Sequence, residues 1–442
     1  IIVSLVIIKK YKNIFAEFQS IYKYNLLIIK SFKLDKENNI KLIYKKIFNF
    51  YFKIFLKTFV LLFPFITLYF FGGDKFLNYI FSIRVILVSL IVVFLIYFIF
   101  TSDRYDFLSI IIHKIFFNFD FFNIFLFDLE KKIYLPKLKV NCTNSNVFIT
   151  GLPRSGTTAF LELLYSSKKF ASFQYLDMPF ILSPNFRKNI TLNFNKNFNK
   201  IERYHQDKIY INKNSPEAFD EVFFRIYDGK NYIIENNLKI YSPQEDILNN
   251  YKDLIHLCKI SKEKDRYISK NNNNIIRIKK LSEYFNDDIF FILFRNPLDF
   301  AISSQKTNKK FSSLQTESNF IKDYIKFLGH YEFGIGSKHI YSVNKNKYQK
   351  NDINYWINYW LDIYKPYQSS NLNKNIKLVC YENIKFNEKK LLDYLKLERF
   401  DYDFKVLKKE HDSEILEELN IDKKLFKEAN LVYQNLIKHC FM

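Results

Sequence analysis

The sequence predicts an α/β fold, a parallel sheet flanked by helices, preceded by an N-terminal helical region associated with a membrane. Three observations lead there. Val147–Thr150 and Ile289–Phe294 are short, almost wholly apolar runs, the composition of strands covered on both faces. Each is followed by a turn and then by a stretch able to form a helix, the alternation of a parallel sheet. Ahead of both, residues 58–73 and 85–102 run for sixteen and eighteen positions without a charge.

In chain order, the N-terminal region comes first. Residues 1–140 hold 20 Lys+Arg against 9 Asp+Glu, half of the net charge of +22, and twelve of those lysines precede residue 58. A cationic flank ahead of an apolar stretch marks a membrane border. As a helix, 58–73 would span about 24 Å against a hydrocarbon core of about 30 Å, with Lys57 placed to snorkel and Pro64 to kink it. Residues 85–102, dominated by Leu, Ile, Val and Phe, are long enough to cross. Gly72-Gly73-Asp74 is a turn signal, so the two runs read as a helical hairpin, and the lysine bias places both its ends in the cytoplasm. Residues 110–127 are aromatic but interrupted by His113, Lys114 and Asp120, which suits the membrane interface better than its interior. Leu135-Pro136-Lys137 then marks a boundary between a region 1–138 and an α/β domain 139–442, large enough for one core.

After the first predicted strand comes Gly151-Leu152-Pro153-Arg154-Ser155-Gly156-Thr157-Thr158. Glycine, four residues, glycine is the spacing of a P-loop, in which converging amides and a helix dipole meet a phosphate. In an ATP or GTP site a lysine follows the second glycine and reaches the terminal phosphates. Thr157 stands there instead, and the cation has moved into the loop as Arg154. A planar guanidinium beside the first phosphate suits one phosphoryl group without a metal. Arg154, Ser155, Gly156, Thr157 and Thr158 are therefore the candidate binding set, and the sheet is of P-loop type with ligands at the carboxyl ends of its strands.

Pro153-Arg154-Ser155-Gly156-Thr157-Thr158 resembles the 5′-phosphosulfate-binding loop of sulfotransferases, which use 3′-phosphoadenosine 5′-phosphosulfate (PAPS). A second element strengthens the resemblance. Arg295-Asn296-Pro297 follows the later apolar run, Pro297 suits a first helical position, and Ser303 comes eight residues after Arg295. In that family an arginine and a serine at this spacing hold the 3′-phosphate, so the resemblance implies Arg295 and Ser303 as a second anion seat. Tyr267-Ile268-Ser269-Lys270-Asn271 is similar to the strand whose terminal lysine faces the sulfonate, which implies that role for Lys270. Leu378-Val379-Cys380-Tyr381-Glu382-Asn383 resembles the late strand and its Tyr-Glu turn. Residues 171–184, 215–225 and 328–334 are similar to bacterial members of the carbohydrate and tyrosylprotein sulfotransferase group, so the likeness runs from about residue 145 to 400.

The activity so implied is transfer of a sulfonate from PAPS to a hydroxyl or amine of an unidentified acceptor, with a carbohydrate or glycolipid favoured by the membrane region. A base must take the acceptor's proton. Family branches use a glutamate shortly after the first helix, where this chain has Asp177 in Leu176-Asp177-Met178-Pro179, or a histidine farther on, where His205 is the candidate. Ser215-Pro216-Glu217 reads as the start of a helix, which would account for Glu217 without catalysis. His330 and Glu332 lie in a glycine-flanked loop that could cover the acceptor. The asparagine runs 193–199 and 271–274 read as loops produced by compositional drift.

Composition narrows the alternatives. Only ten of the 67 Lys+Arg are arginine, seven of them from Arg154 to Arg295, as expected where a planar bidentate donor is required against a lysine-rich background. The same background produces the basic balance without a nucleic-acid partner, and no nucleic-acid motif accompanies it. Four cysteines without CxxC spacing fit a reducing compartment and give neither a disulfide framework nor a zinc signature. The rival readings are a P-loop kinase or NTPase, which would need the lysine that Thr157 displaces, and a non-catalytic membrane-anchored scaffold. Residues 387–442 read as amphipathic helices packed on the outside.

Overall fold

The computed structural model describes residues 107–137, 145–189, 201–202, 210–317, 319–340, 347–369, 372–400, 402, 404 and 419–442. The apolar runs 58–73 and 85–102, the asparagine run 193–199 and His205 lie outside the described residues. Among the described residues, no helix is long and apolar enough to cross a membrane.

The sheet is built from β1 (Val147–Thr150), β2 (Phe170–Ala171), β3 (Arg266–Lys270), β4 (Ile289–Phe294) and β5 (Ile376–Cys380), in the order β2-β3-β1-β4-β5 and parallel throughout. Alternation along each strand divides its side chains between two cores. Phe148, Tyr267, Phe290, Ile292 and Phe294 enter one cluster, and Val147, Ile149, Ile268, Phe291 and Leu293 enter the other. Both faces are dry, which is why the strands read as unbroken apolar runs.

From β1 the chain turns through helix 157–165 toward β2, whereas from β4 it turns the other way toward β5. β1 and β4 are neighbours, so the connections diverge between them. Such a divergence opens a crevice beyond the strands' carboxyl ends, the place where parallel sheets take ligands.

The helices that matter for the site are α1 (Phe107–Asn118), α2 (Asp120–Tyr134), α3 (Thr157–Tyr165), α4 (Glu221–Tyr232), α5 (Glu245–Lys262), α6 (Pro297–Glu317), α7 (Ile353–Tyr364) and α8 (Lys423–His439). Three expectations change here. The helices 107–134, grouped by composition with the N-terminal region, dock on the α/β domain: Phe127 is in its main core, Glu130 accepts from the Asn185 amide, and Asp120 pairs with Arg225 at 2.7 Å. Helix α8 is no external appendage, since Leu425, Ala429, Val432, Tyr433 and Leu436 all enter the main core. Asn272–Ile276 is a buried 3-10 helix, where composition suggested a drifting loop.

The asparagines of that turn are used one by one. Asn271 caps it by accepting from the Asn273 amide and donates to Glu221, and Asn274 accepts from Arg277 at 3.0 Å. Glu221 and Arg277 form an ion pair with both side chains fully buried, completed by the hydroxyls of Tyr232 and Tyr241. A pair without water survives only when its remaining donors and acceptors are satisfied, as they are here. The network fastens α4 to the end of β3.

Candidate functional site

The loop after β1 is held by close approaches that only glycine allows. Gly156 has φ +88°, and a Cβ there would come within 2.1 Å of the Tyr381 ring; a Cβ on Gly151 would meet the Leu293 carbonyl at 2.3 Å. Arg154 itself takes φ +77°, a conformation that costs an L-residue of order 1 kcal/mol or more and that clusters at binding sites. Gly156 is the N-cap of α3 and supplies no side-chain cap to its first-turn amides. An oxyanion placed there meets those amides and the positive end of the helix.

Tyr364 of α7 braces this loop. Its hydroxyl donates to the Leu293 carbonyl at 2.6 Å and accepts from the Leu152 amide at 2.9 Å, and Ser155 Oγ is 3.2 Å away. Because the one phenolic proton goes to Leu293, the serine hydroxyl is the donor in that last contact. From the other side, Asn272 accepts from the Thr157 hydroxyl through its side chain and from the Thr150 hydroxyl through its backbone, each at 3.1 Å. Neither Tyr364 nor Asn272 was marked by the sequence: one sits in an aromatic-rich helix, the other in a run of four asparagines.

The second element lies where its spacing predicts. β4 ends at Phe294, Arg295 follows at its carboxyl edge, and Pro297 opens α6. The Arg295 guanidinium lies 5.1 Å over the Tyr381 ring, 3.5 Å from Asp299 and 3.9 Å from Glu382. Two turns along α6, Ser303 accepts from Arg154 Nε at 2.9 Å. The two sequence motifs therefore touch: the arginine of the loop after β1 is bonded to the serine of the helix after β4.

The other candidates separate. Lys270 ends β3 and its ammonium is 2.9 Å from Glu217. Glu217 lies outside a helix, contrary to the helix start read from Ser215-Pro216-Glu217, because α4 begins only at Glu221. It is nearly buried and also accepts from the Tyr175 hydroxyl at 3.0 Å. Asp177 is buried on different partners, accepting from Lys262 at 2.7 Å and from the Gln174 amide at 2.8 Å. Loop 329–334 reaches the site: Glu332 accepts from Asn272 at 3.3 Å and the His330 ring contacts the Ala218 carbonyl at 2.8 Å. Among the described residues, no group of three or more His, Cys, Asp and Glu side chains could hold a metal ion.

No curated protein matches the chain. Among solved structures, the chain is similar to sulfotransferase STF1 from Mycobacterium tuberculosis H37Rv, at 10% identity and a TM-score of 0.38 over 76% of this chain and 87% of that one. It is also similar to a sulfotransferase from Alicyclobacillus acidocaldarius, at 13% identity and a TM-score of 0.28 over 67% and 97%, and to STF9 from Mycobacterium avium, at 10% identity and 0.29 over 70% and 81%. Residues 146–344, the stretch holding the loop after β1, Lys270, Arg295 and Ser303, match the family model described as "Sulfotransferase family". Over that stretch, under half of its length, the chain is similar to the sulfotransferase family.

Proposed function

We propose that the protein transfers a sulfonate from PAPS to a hydroxyl or amine of a carbohydrate or glycolipid acceptor, at the cytoplasmic surface of a membrane. The observation that carries the nucleotide reading is the 2.9 Å bond from Arg154 to Ser303. It brings the loop suited to a 5′-phosphosulfate and the helix suited to a 3′-phosphate to one crevice. The donor set fits such a ligand: planar guanidinium groups, a helix start without a side-chain cap, and hydroxyls. Arg154, Ser155, Gly156, Thr157 and Thr158 would hold the sulfonate-bearing end, and Arg295 and Ser303 the other. When bound, PAPS supplies an activated sulfonate and a stable leaving group.

The chain's own residues would then stabilise charge and move a proton. Arg154, the loop amides and Lys270 are the fixed donors for negative charge growing on the leaving oxygen. Asp177 and His205 are the proposed bases, and Asp177 would first have to release Lys262. The membrane reading draws on the apolar runs outside the described residues and on the exposed Phe121, Phe125, Leu129 and Ile133 of α2.

Calorimetry with adenosine 3′,5′-bisphosphate tests the nucleotide reading directly. The wild type should bind with a Kd on the order of micromolar, about −8 kcal/mol, and Arg154→Ala and Arg295→Ala should each lose at least tenfold. Equal affinity in all three would refute the assignment of both seats.

A further inference from the structure

We propose that Glu217 is a positioning residue for Lys270, holding its ammonium in place at the edge of the donor site; this rests on the sulfotransfer reading above. Lys270 is the last residue of β3, and its backbone pairs with Ile149, two residues before the phosphate loop begins at Gly151. The next residue donates its amide to the Ile149 carbonyl, and the one after, Asn272, accepts the Thr157 hydroxyl at the start of α3. The lysine's backbone is thus anchored one strand spacing, about 4.8 Å, from the strand that feeds the loop.

Its surroundings are nearly dry, with side-chain exposures of 7% for Lys270 and 9% for Glu217. A buried ammonium without an anion is drawn toward water. Glu217 holds it back, and is itself fixed at four points. Oε1 receives Lys270 and the Ala218 amide at 2.9 Å each, Oε2 receives the Tyr175 hydroxyl at 3.0 Å, and its own amide bonds the Phe173 carbonyl at 3.1 Å. Asp177, two residues beyond Tyr175, holds a different lysine, so the two acids divide the cations between them. A carboxylate this fully engaged is a support for Lys270 and not a base for the acceptor.

The test uses the full chain, with adenosine 3′,5′-bisphosphate and PAPS as ligands and water as the acceptor. In that hydrolysis a water oxygen bonds sulfur, the bridging S–O bond breaks, adenosine 3′,5′-bisphosphate leaves with the electron pair, and the water proton passes to solvent. Glu217→Gln should bind the bisphosphate within about twofold of wild type yet lose at least tenfold in PAPS affinity or in kcat. Glu217→Asp should recover part of the loss. On a Lys270→Met background, Glu217→Gln should add nothing, since its effect runs through the lysine. If the double variant loses a further tenfold, or Glu217→Gln matches wild type in PAPS affinity and kcat, the proposal is overturned. Should Glu217→Gln fail to fold, Glu217→Asp and Tyr175→Phe must show the same separation between the two ligands, and equal losses for both would overturn it. A wild type that binds neither nucleotide would sink the sulfotransfer reading instead.

Discussion

At the scale of single residues, the site depends on atoms that are absent as much as on those present. Gly156 gives the clearest case. Its φ of +88° strains any L-residue, and a methyl there would overlap the Tyr381 ring, whose face also lies under Arg295. Gly156→Ala therefore disturbs both proposed anion seats at once. We expect at least a tenfold loss of adenosine 3′,5′-bisphosphate affinity by calorimetry, with only a modest fall in Tm; an unchanged Kd would mean the loop adapts freely. The residues proposed for the seats, Arg154, Ser155, Thr157, Arg295 and Ser303, were legible because they fall at fixed spacings on a strand–turn–helix. The residues that brace them were not. Tyr364 lies 210 positions from Arg154 in the sequence, and a phenol facing a loop carries the same letter as one filling a core. Glu217 was misread because Ser-Pro-Glu is a sound helix start, yet tertiary pairing with Lys270 outweighed it and the helix begins four residues later.

Among the elements, β1, β4, α3 and α6 were legible since burial on both faces and an N-terminal proline leave local marks, whereas the docking of α2 was not, because its apolar side meets partners far away in sequence. That docking has a testable pH signature. Glu130 of α2 is fully buried, its Oε1 takes the Asn185 amide, its Oε2 has no hydrogen-bond partner, and burial pushes its pKa from 4.5 up to about 8. The folded protein thus holds this proton more tightly than the unfolded chain. Between about pH 4.5 and 8 unfolding releases it, so Glu130's contribution to stability is present at low pH and is lost as pH rises through that window. Glu130→Gln keeps the shape and the neutral state at every pH. It should raise Tm at pH 8 relative to wild type, by an amount on the order of a few kcal/mol in stability, and leave pH 4.5 almost unchanged. Thermal melts across this range check it, and identical pH slopes for the two proteins would show that Glu130 is not the group responsible.

For the whole molecule, the proposed membrane setting of the donor crevice is open to test, and α2 gives the physical handle. One side of the helix carries Phe127 and Glu130 into the core. The other presents Phe121, Phe125, Leu129 and Ile133 at four-residue intervals, with relative exposures of 78%, 52%, 39% and 38%. Successive members are about 6 Å apart along the axis, so the four form a ridge of about 18 Å. A row of large apolar side chains is costly in water, and each one fully withdrawn from it would contribute about 1.5–3 kcal/mol. The ridge follows the apolar run 85–102 in the sequence by eighteen residues, and a helix lying at the headgroup boundary would use such a face. We therefore expect a spin label at Phe125→Cys, in the full chain reconstituted into anionic vesicles, to be more accessible to molecular oxygen than to an aqueous nickel chelate. A label at Lys427→Cys, exposed on α8, should show the opposite preference. If both labels report water, α2 faces the aqueous phase, and the acceptor need not be sought among lipids.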